Sequence, residues 1–310
     1  MLIDIILQAG RAGIEFSLFV MLPIMIVMLF LMRLMEAHGW LDWIVHKLTP
    51  VLKPFGLGGL GIFAALQISF VSFAAPVATL SIMDQRGTSQ RQIAATLAMV
   101  FAMAQANASF PMMALGLDIG LTLLLSLVGG LIAAAVTWHL IGRSLPDEET
   151  PAADKLNHAT VSGGKGLLDV INAAGSEAFK IALGAIPIMV LSLVVVGLLQ
   201  RSGSIAWLTT ALTPLLTLLH IDPVLVLPTL TKYLAGGSAM LAVMSELHRA
   251  GQVDAALINL SAGWLLSPLD LTGIAVLISA GRRIAAVWKY AALGSLVGMA
   301  VRIVGHVLLG

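Results

Sequence analysis

The chain has 310 residues, of which 59% are apolar and 11% are charged, and its formal net charge is +1. Soluble domains carry about 25% charged residues, so this composition indicates an integral membrane protein that contacts the lipid bilayer. The basic residues form no patch interleaved with aromatic residues, which argues against a nucleic-acid partner. The chain contains no cysteine, which excludes disulfides, thiolate metal sites and cysteine nucleophiles.

Uncharged runs follow one another along the chain, and each is long enough to enter or cross a hydrocarbon layer about 30 Å thick. The first half is predicted to hold a spanning helix, a short interfacial helix, a long segment with polar residues at its middle, and two further helices, at about 14–35, 40–52, 57–83, 91–115 and 119–142. The same five elements are predicted in the second half at about 178–200, 204–218, 223–246, 254–280 and 285–308. The expected fold class is therefore all-α and polytopic.

A polar stretch separates the two halves. It contains Pro146, Asp147, Glu148 and Glu149, a composition typical of a solvated linker. We therefore predict a first repeat at 1–143, a cytoplasmic linker at 144–165 and a second repeat at 166–310.

The two halves align without a gap when the chain is shifted by 164 residues (187 − 23 = 164). The shift superimposes two prolines, two glycines and a tryptophan: Pro23 on Pro187, Gly39 on Gly203, Trp43 on Trp207, Pro50 on Pro214 and Gly87 on Gly251. Such matches do not arise from apolar composition alone. Internal repeats are characteristic of secondary transporters, in which the substrate site lies at the repeat interface near the bilayer midplane.

The distribution of Lys and Arg tests whether the long middle segments cross the membrane, because cytoplasmic loops are enriched in both residues. Lys232 and Arg302 lie within apolar segments and are left aside. If the middle segments cross, the two sides hold 8 and 7 basic residues, and if the short helices cross instead they hold 10 and 5. If each middle segment is a re-entrant hairpin, 12 lie on one side and only Arg11, Arg201 and Arg249 on the other. We therefore predict two re-entrant hairpins and three crossings per half, with inverted repeats and both termini outside.

Lys232 is the costliest residue in the second hairpin, since a lysine in hydrocarbon costs about 2.5–3.5 kcal/mol on insertion scales. It precedes Tyr233 and is followed by Gly236, Gly237 and Ser238, which weaken a continuous helix. We predict that Lys232, Tyr233 and Ser238 bind substrate. The alternative for Lys232 is a side chain that extends to the outer interface.

The helices after the hairpins carry polar residues beside proline or glycine at equivalent places, the pattern of broken helices whose free ends bind ions or substrate. The residues predicted to bind substrate at these breaks are Gln105, Asn107, Ser109, Asp270 and Thr272, with Asp270 and Asn107 also predicted to couple transport to an ion. The alternative is a proline kink without a ligand. Because an intramembrane carboxylate needs a partner or a proton, we hypothesise that Asp270 pairs with Lys232 and that solute or protonation breaks the pair.

The first hairpin carries an uncharged polar tip. Gln67, Ser69 and Ser72 precede Pro76 in the segment that aligns with the Lys232 segment, and we predict that these three residues bind substrate. The alternative is close helix packing by the serines and an interhelical hydrogen bond by Gln67.

The stretch Lys232-Tyr-Leu-Ala-Gly-Gly-Ser-Ala-Met and the Leu-Thr-Pro that precedes each hairpin resemble the gate-domain, or "nucleoside recognition", membrane proteins. The first half resembles spore maturation protein A and the second half spore maturation protein B. The layout of each half is similar to the core of concentrative nucleoside transporters. One departure is that Ser72-Phe-Ala-Ala-Pro76 keeps the Ala-Pro of that family's first hairpin but lacks its acidic residue.

The resemblance implies a secondary transporter or permease that works by alternating access on a small polar, nucleoside-like solute. Because Lys232 gives the second hairpin a charged tip and the first tip is uncharged, we predict that the solute carries an anionic group. We expect Na⁺ or a proton as the coupling ion, no other cofactor, and a bacterial-type inner membrane as the location. No metal-ligand spacing or nucleophile motif occurs in the sequence, so we expect neither an enzyme nor a metal site. The alternative is a non-transporting membrane module that assembles with or regulates a partner. The oligomeric state is left open, a homo-oligomer included.

Overall fold

The computed structural model describes residues 2–148, 166–204, 207, 210–211 and 221–310. Most of the predicted linker and most of the predicted short helix at 204–218 lie outside these ranges. Within them the chain is all-helical, as the sequence predicts.

The first half forms eight helices. They are α1 (Leu2–Glu15), α2 (Leu22–Ala37), α3 (Trp40–Leu52), α4 (Gly59–Phe70), α5 (Pro76–Gln85), α6 (Gln90–Ala102), α7 (Ala106–Met113) and α8 (Ile119–Val136). A π-helical turn at Phe16–Met21 joins α1 to α2, and another at Thr137–Ile141 extends α8.

The described part of the second half repeats this order. Its helices are α9 (Leu167–Arg201), α10 (Val226–Ala235), α11 (Gly237–Arg249), α12 (Ala255–Leu265), α13 (Leu271–Ile278) and α14 (Arg282–Leu309). Each half thus contains a long first helix, a helical hairpin, a broken helix and a long last helix.

Both first helices begin earlier than predicted. The helix expected at about 14 begins at Leu2, and the helix expected at about 178 begins at Leu167. The prediction ended each apolar run at a charged residue, but these charges are accommodated on the helix surface. Glu177 of α9, for example, forms an ion pair with Arg33 of α2 at 2.5 Å.

A stripe of alanines joins α9 to the first helix of the other half. Ala174, Ala178, Ala182 and Ala185 are all buried, and the hydroxyl of Ser17 donates a hydrogen bond of 2.5 Å to the carbonyl oxygen of Ala182. Small side chains let helices approach closely in a membrane, where packing rather than the hydrophobic effect drives association. The first helices of the two halves therefore form one packed pair.

The two hairpins consist of α4 with α5 and of α10 with α11. The longest arm, α11, has 13 residues, which corresponds to about 20 Å of helix. No arm can cross a hydrocarbon layer of about 30 Å alone, as expected for re-entrant hairpins. The second hairpin turns at Gly236, whose φ of 90° favours glycine.

Five helices in the described ranges are long and apolar enough to cross a membrane: Leu2–Met35, Gln90–Met113, Ile119–Ile141, Leu167–Leu199 and Arg282–Leu309. The predicted spanning helix at 254–280 does not qualify, because it is divided into α12 and α13, of 11 and 8 residues. Its counterpart in the first half, α6 with α7, is also broken, but together the two helices are long and apolar enough to cross a membrane and are wholly buried.

The basic residues lie at two ends of the molecule. Arg11 and Arg249 line one cavity, and Arg201 lines an adjoining cavity of about 260 Å³ that shares Glu246 with it. Elsewhere, the carbonyl oxygen of Trp138, in the turn that extends α8, accepts a hydrogen bond of 2.9 Å from Arg91. The three basic residues predicted for the outer side thus share one end of the fold.

The last helices of the two halves meet at the centre. A Cβ atom on Gly298 of α14 would lie 2.2 Å from the carbonyl oxygen of Gly129 in α8, so glycine is required for this approach. Every residue of α6 from Ile93 to Ala102 is buried beside this pair. The broken helices therefore lie in the interior of the protein, where the predicted site residues are placed.

Candidate functional site

Lys232 and Asp270 form a buried ion pair between the second hairpin and the break of α12 and α13. Lys232 is fully buried in the last turn of α10, and Asp270 is 4% exposed. The ammonium of Lys232 donates to Oδ2 of Asp270. The structure therefore joins the two residues whose pairing we hypothesised from the sequence, and Lys232 does not extend to the outer interface.

Asp270 also caps the helix that follows the break. Its Oδ1 accepts a hydrogen bond of 2.7 Å from the backbone amide of Gly273, which places the carboxylate at the positive end of α13. A Cβ atom on Gly273 would lie 2.0 Å from the carbonyl oxygen of Pro268. The Ser-Pro-Leu-Asp-Leu-Thr-Gly sequence thus builds a tight break whose only carboxylate faces Lys232.

The two breaks contact each other through the backbone. The amide of Gln105, between α6 and α7, donates to the carbonyl oxygen of Leu266, at the end of α12, at 2.9 Å. The amide of Ala104 donates to the hydroxyl of Ser126 in α8 at 2.7 Å, and the hydroxyl of Ser109 donates to the carbonyl oxygen of Gln105 at 2.9 Å. The first two bonds satisfy backbone groups that the break leaves without helical partners, whereas the Gln105 carbonyl also accepts from backbone amides of its own helix. Ser109 is therefore engaged with the backbone of its own helix.

The tip of the second hairpin packs against both breaks. A Cβ atom on Gly237 would lie 2.4 Å from Nε2 of Gln105, and one on Gly236 would lie 3.3 Å from Thr272. The Gln105 side chain is 1% exposed, and its Nε2 has no acceptor among the described residues. The absence of side chains at the tip lets Gln105 and Thr272 approach the turn directly.

The first hairpin contacts the first break through its tip. The backbone amide of Phe73 donates to Oδ1 of Asn107 at 3.2 Å. Gln67, by contrast, accepts a hydrogen bond of 2.7 Å from the hydroxyl of Thr79 across the two arms of the hairpin. This bond resembles the interhelical bond that we gave as the alternative for Gln67.

The remaining predicted residues flank this centre. Ser69 and Ser72 are buried in the first hairpin, and no hydrogen bond joins their side chains to either break within the described ranges. Tyr233 and Ser238 are half-buried in the second hairpin. The structure therefore places Gln105, Asp270 and Thr272 against the hairpin that carries Lys232, and Asn107 against the tip of the first hairpin.

Sequence reasoning missed Arg302, Thr79 and Ser126. Arg302 is fully buried in α14 and donates to the carbonyl oxygens of Ala102 and Ala262, at 2.6 and 3.1 Å. Its signal was a lone charge in an apolar run, which is a functional indication by itself. Thr79 and Ser126 gave no signal, because hydroxyl side chains are common in membrane helices. Within the described residues no group of three or more His, Asp or Glu side chains could hold a metal ion.

Comparison with known proteins supports the fold. Residues 18–137 match the family described as "Gate: Nucleoside recognition". The fold resembles the concentrative nucleoside transporter CNTnw in an inward-facing substrate-bound state, with a TM-score of 0.69 and 16% identity over 99% of this chain and 84% of that one. A CNTnw variant in an outward-facing state gives a TM-score of 0.68 and 15% identity over 98% and 82% of the two chains. No curated protein sequence matches the chain.

The fold and the comparisons define a polytopic membrane protein with the fold of a nucleoside transporter. Residues 18–137, within its first half, resemble the gate domain. The resemblance to gate-domain proteins and to the concentrative transporter core is therefore confirmed.

Proposed function

We propose that the protein is a secondary transporter for a small, polar, anionic solute in a bacterial-type inner membrane. The site would lie where the two hairpin tips meet the two breaks, and two inverted repeats would provide alternating access. The observation that carries the proposal is the Lys232–Asp270 ion pair, which is buried at the contact between a hairpin and a break.

A buried ion pair of this kind is suited to a transport cycle. Removing one partner from such a pair costs about 3–5 kcal/mol, because a charge is left uncompensated in the interior. A solute that carries its own carboxylate or phosphate can replace Asp270 as the partner of Lys232, and a proton can neutralise Asp270 when it is released. The pair therefore links the position of the hairpin to the presence of solute.

The helix ends around the pair favour a negative solute. Helix N-termini carry about half a positive charge each. The N-terminus of α13 is capped by Asp270. The residues that precede α7 and α11, Gln105 and Gly236, provide no side-chain cap. These two uncapped N-termini place partial positive charge beside the ion pair, which would attract an anion.

The contact between the first hairpin and the first break bears on the coupling ion. Asn107 holds the backbone of Phe73 at the tip, and the same amide oxygen is a suitable ligand for Na⁺ when the tip moves away. We assign coupling to a proton at Asp270 or to Na⁺ at Asn107, as the sequence suggested. The name of the gate family supports a nucleoside-like solute as the second candidate.

A ligand screen on the purified protein would test the proposal. Thermal unfolding would be followed with mono- and dicarboxylates, phosphate esters, nucleosides and amino acids, in Na⁺ or choline buffers at several pH values. We expect an anionic solute to raise the Tm of the wild-type protein and to be taken up by proteoliposomes, and we expect Lys232→Met to lose both responses. Arg249→Met is the matched control, because Arg249 forms a solvent-exposed ion pair with Glu246 in the same hairpin, at 2.9 Å.

Two outcomes would contradict the proposal. One is uptake that persists unchanged when Lys232 and Asp270 are neutralised together. The other is a Tm response to neutral nucleosides alone that Lys232→Met retains, which would favour the nucleoside-like solute.

A further inference from the structure

Arg302 is a buried cation with no anionic partner among the described residues. Its exposed fraction is 0%, and within the described part of the chain no carboxylate lies within ion-pair distance of its guanidinium. Its Nη1 and Nη2 donate to the carbonyl oxygens of Ala102 and Ala262. A bare cation in the interior is costly, so these two carbonyls must supply its stabilisation.

The two carbonyls come from corresponding helices of the two halves, but they lie one helical turn apart, because the shift of 164 residues places Leu266 opposite Ala102. Ala102 is the last residue of α6, and Ala262 lies in the last turn of α12, so each is at the end of a helix that precedes a break. The last four carbonyls of a helix have no helical partner, and a helix C-terminus carries about half a negative charge. Two such ends together carry about one negative charge, which matches a single guanidinium.

The surrounding backbone is shaped for the Arg302 stem. A Cβ atom on Gly129 of α8 would lie 2.5 Å from Cγ of Arg302, and one on Gly263 of α12 would lie 2.7 Å from Cα of Ile303. Side chains at these two positions would displace α14 or the arginine stem. The glycines therefore allow the guanidinium to reach both breaks.

Carbonyls freed at the breaks of transporter helices are general sites for monovalent cations. We propose that the Arg302 guanidinium is a tethered cation that occupies this position permanently, so that the C-terminal ends of α6 and α12 bind no free Na⁺. The inference rests on the proposed transporter function for its meaning but not on the identity of the solute. It leaves Asp270 and Asn107 as the places where an exchangeable ion can act, with Arg302 as a positioning residue.

Chemical rescue of Arg302→Ala tests the proposal. The variant would be purified with about 5–10 mM methylguanidinium, a concentration suited to a weak ligand. Its Tm would be measured after the compound is removed and again after it is restored. We expect the Tm to fall by about 5–10 °C on removal, because two buried acceptors lose their partner, and to recover on addition. Na⁺ is expected to restore part of the loss when it replaces choline. Methylurea, which has a similar shape and no charge, is expected to have no effect.

The controls separate charge from packing. Arg283→Ala, on the same helix, removes a partly exposed guanidinium that donates to the carbonyl oxygen of Thr88 and lies 3.9 Å from the carboxylate of Asp84, and its Tm should not respond to methylguanidinium. Arg302→Lys keeps a tethered charge and should fold with a lower Tm.

Three results would overturn the proposal. Methylguanidinium could fail to raise the Tm of Arg302→Ala, or methylurea could raise it equally. The third result is that Arg302→Ala with methylguanidinium and Arg302→Lys both fail to fold, which would indicate a packing role. These experiments measure stability and not solute binding. Their results are therefore independent of the solute assay on the Lys232 variants, which tests the proposed function.

Discussion

Asp270 holds Lys232 and caps α13 with the same carboxylate. One oxygen accepts from the Lys232 ammonium and the other from the amide of Gly273. The charge on Lys232 and the start of the broken helix are therefore stabilised by one side chain, and any solute that displaces Asp270 acts on both.

The first prediction concerns this pair. Asp270→Asn keeps an oxygen that can cap α13 but leaves Lys232 unpaired, and we expect it to lower the free energy of unfolding by about 3–5 kcal/mol. Lys232→Met should cost a similar amount, whereas the double variant should recover much of the loss, because no buried charge remains. Thermal unfolding of the four proteins in detergent provides the double-mutant cycle. Additive effects of the two substitutions would show that the pair is not coupled.

The second prediction concerns the shape of the second break. Gly273→Ala places a methyl group against the backbone carbonyl of Pro268, which cannot move as a side chain can. We expect a loss of about 2–4 kcal/mol and a loss of the ligand response. Gly184→Ala is the control, since a Cβ atom there meets nothing within 4 Å, and it should be neutral or stabilising by up to about 1 kcal/mol. Equal stability of the two variants would mean that the break is not constrained by Gly273.

The third prediction decides between the two readings of Gln67. Thr79→Val or Gln67→Leu alone leaves the other partner without its bond and should cost about 1–3 kcal/mol, whereas the double variant should be closer to the wild type. If Gln67 also binds solute, the double variant will regain stability without regaining the ligand-induced rise in Tm. A full ligand response in the double variant would establish Gln67 as a packing residue.

The fourth prediction tests inversion of the repeats. Gln85 is the last residue of the second arm of the first hairpin, and Ala250 directly follows the second arm of the second hairpin. Both are exposed, and the chain has no cysteine of its own. In intact cells a membrane-impermeant thiol reagent should label Ala250→Cys, whereas Gln85→Cys should be labelled only after permeabilisation. Labelling of both from the same side would contradict inverted repeats.

The sequence was sufficient for the order of helices, the two breaks and the pairing of Lys232 with Asp270, because each produces a local signal: apolar length, proline or glycine, and charge in hydrocarbon. It was not sufficient for contacts with backbone groups. The partners of Arg302 are two carbonyls that every residue possesses, and the partner of Gln67 is a threonine among many. The starts of α1 and α9 were misplaced because a charge that ends an apolar run need not end a helix, as Glu177 shows.

The backbone hydrogen bond from Gln105 to Leu266 crosses from one half of the chain to the other. This bond holds the two breaks side by side, and we expect them to keep their relative position when the second hairpin moves. The glycine turn at Gly236 and Gly237 contacts the breaks without a side chain of its own, so the Lys232–Asp270 ion pair is the side-chain bond that must open before the second hairpin can move away. We therefore expect access to the centre to be controlled by the second hairpin, with the paired breaks as the fixed surface on which it closes.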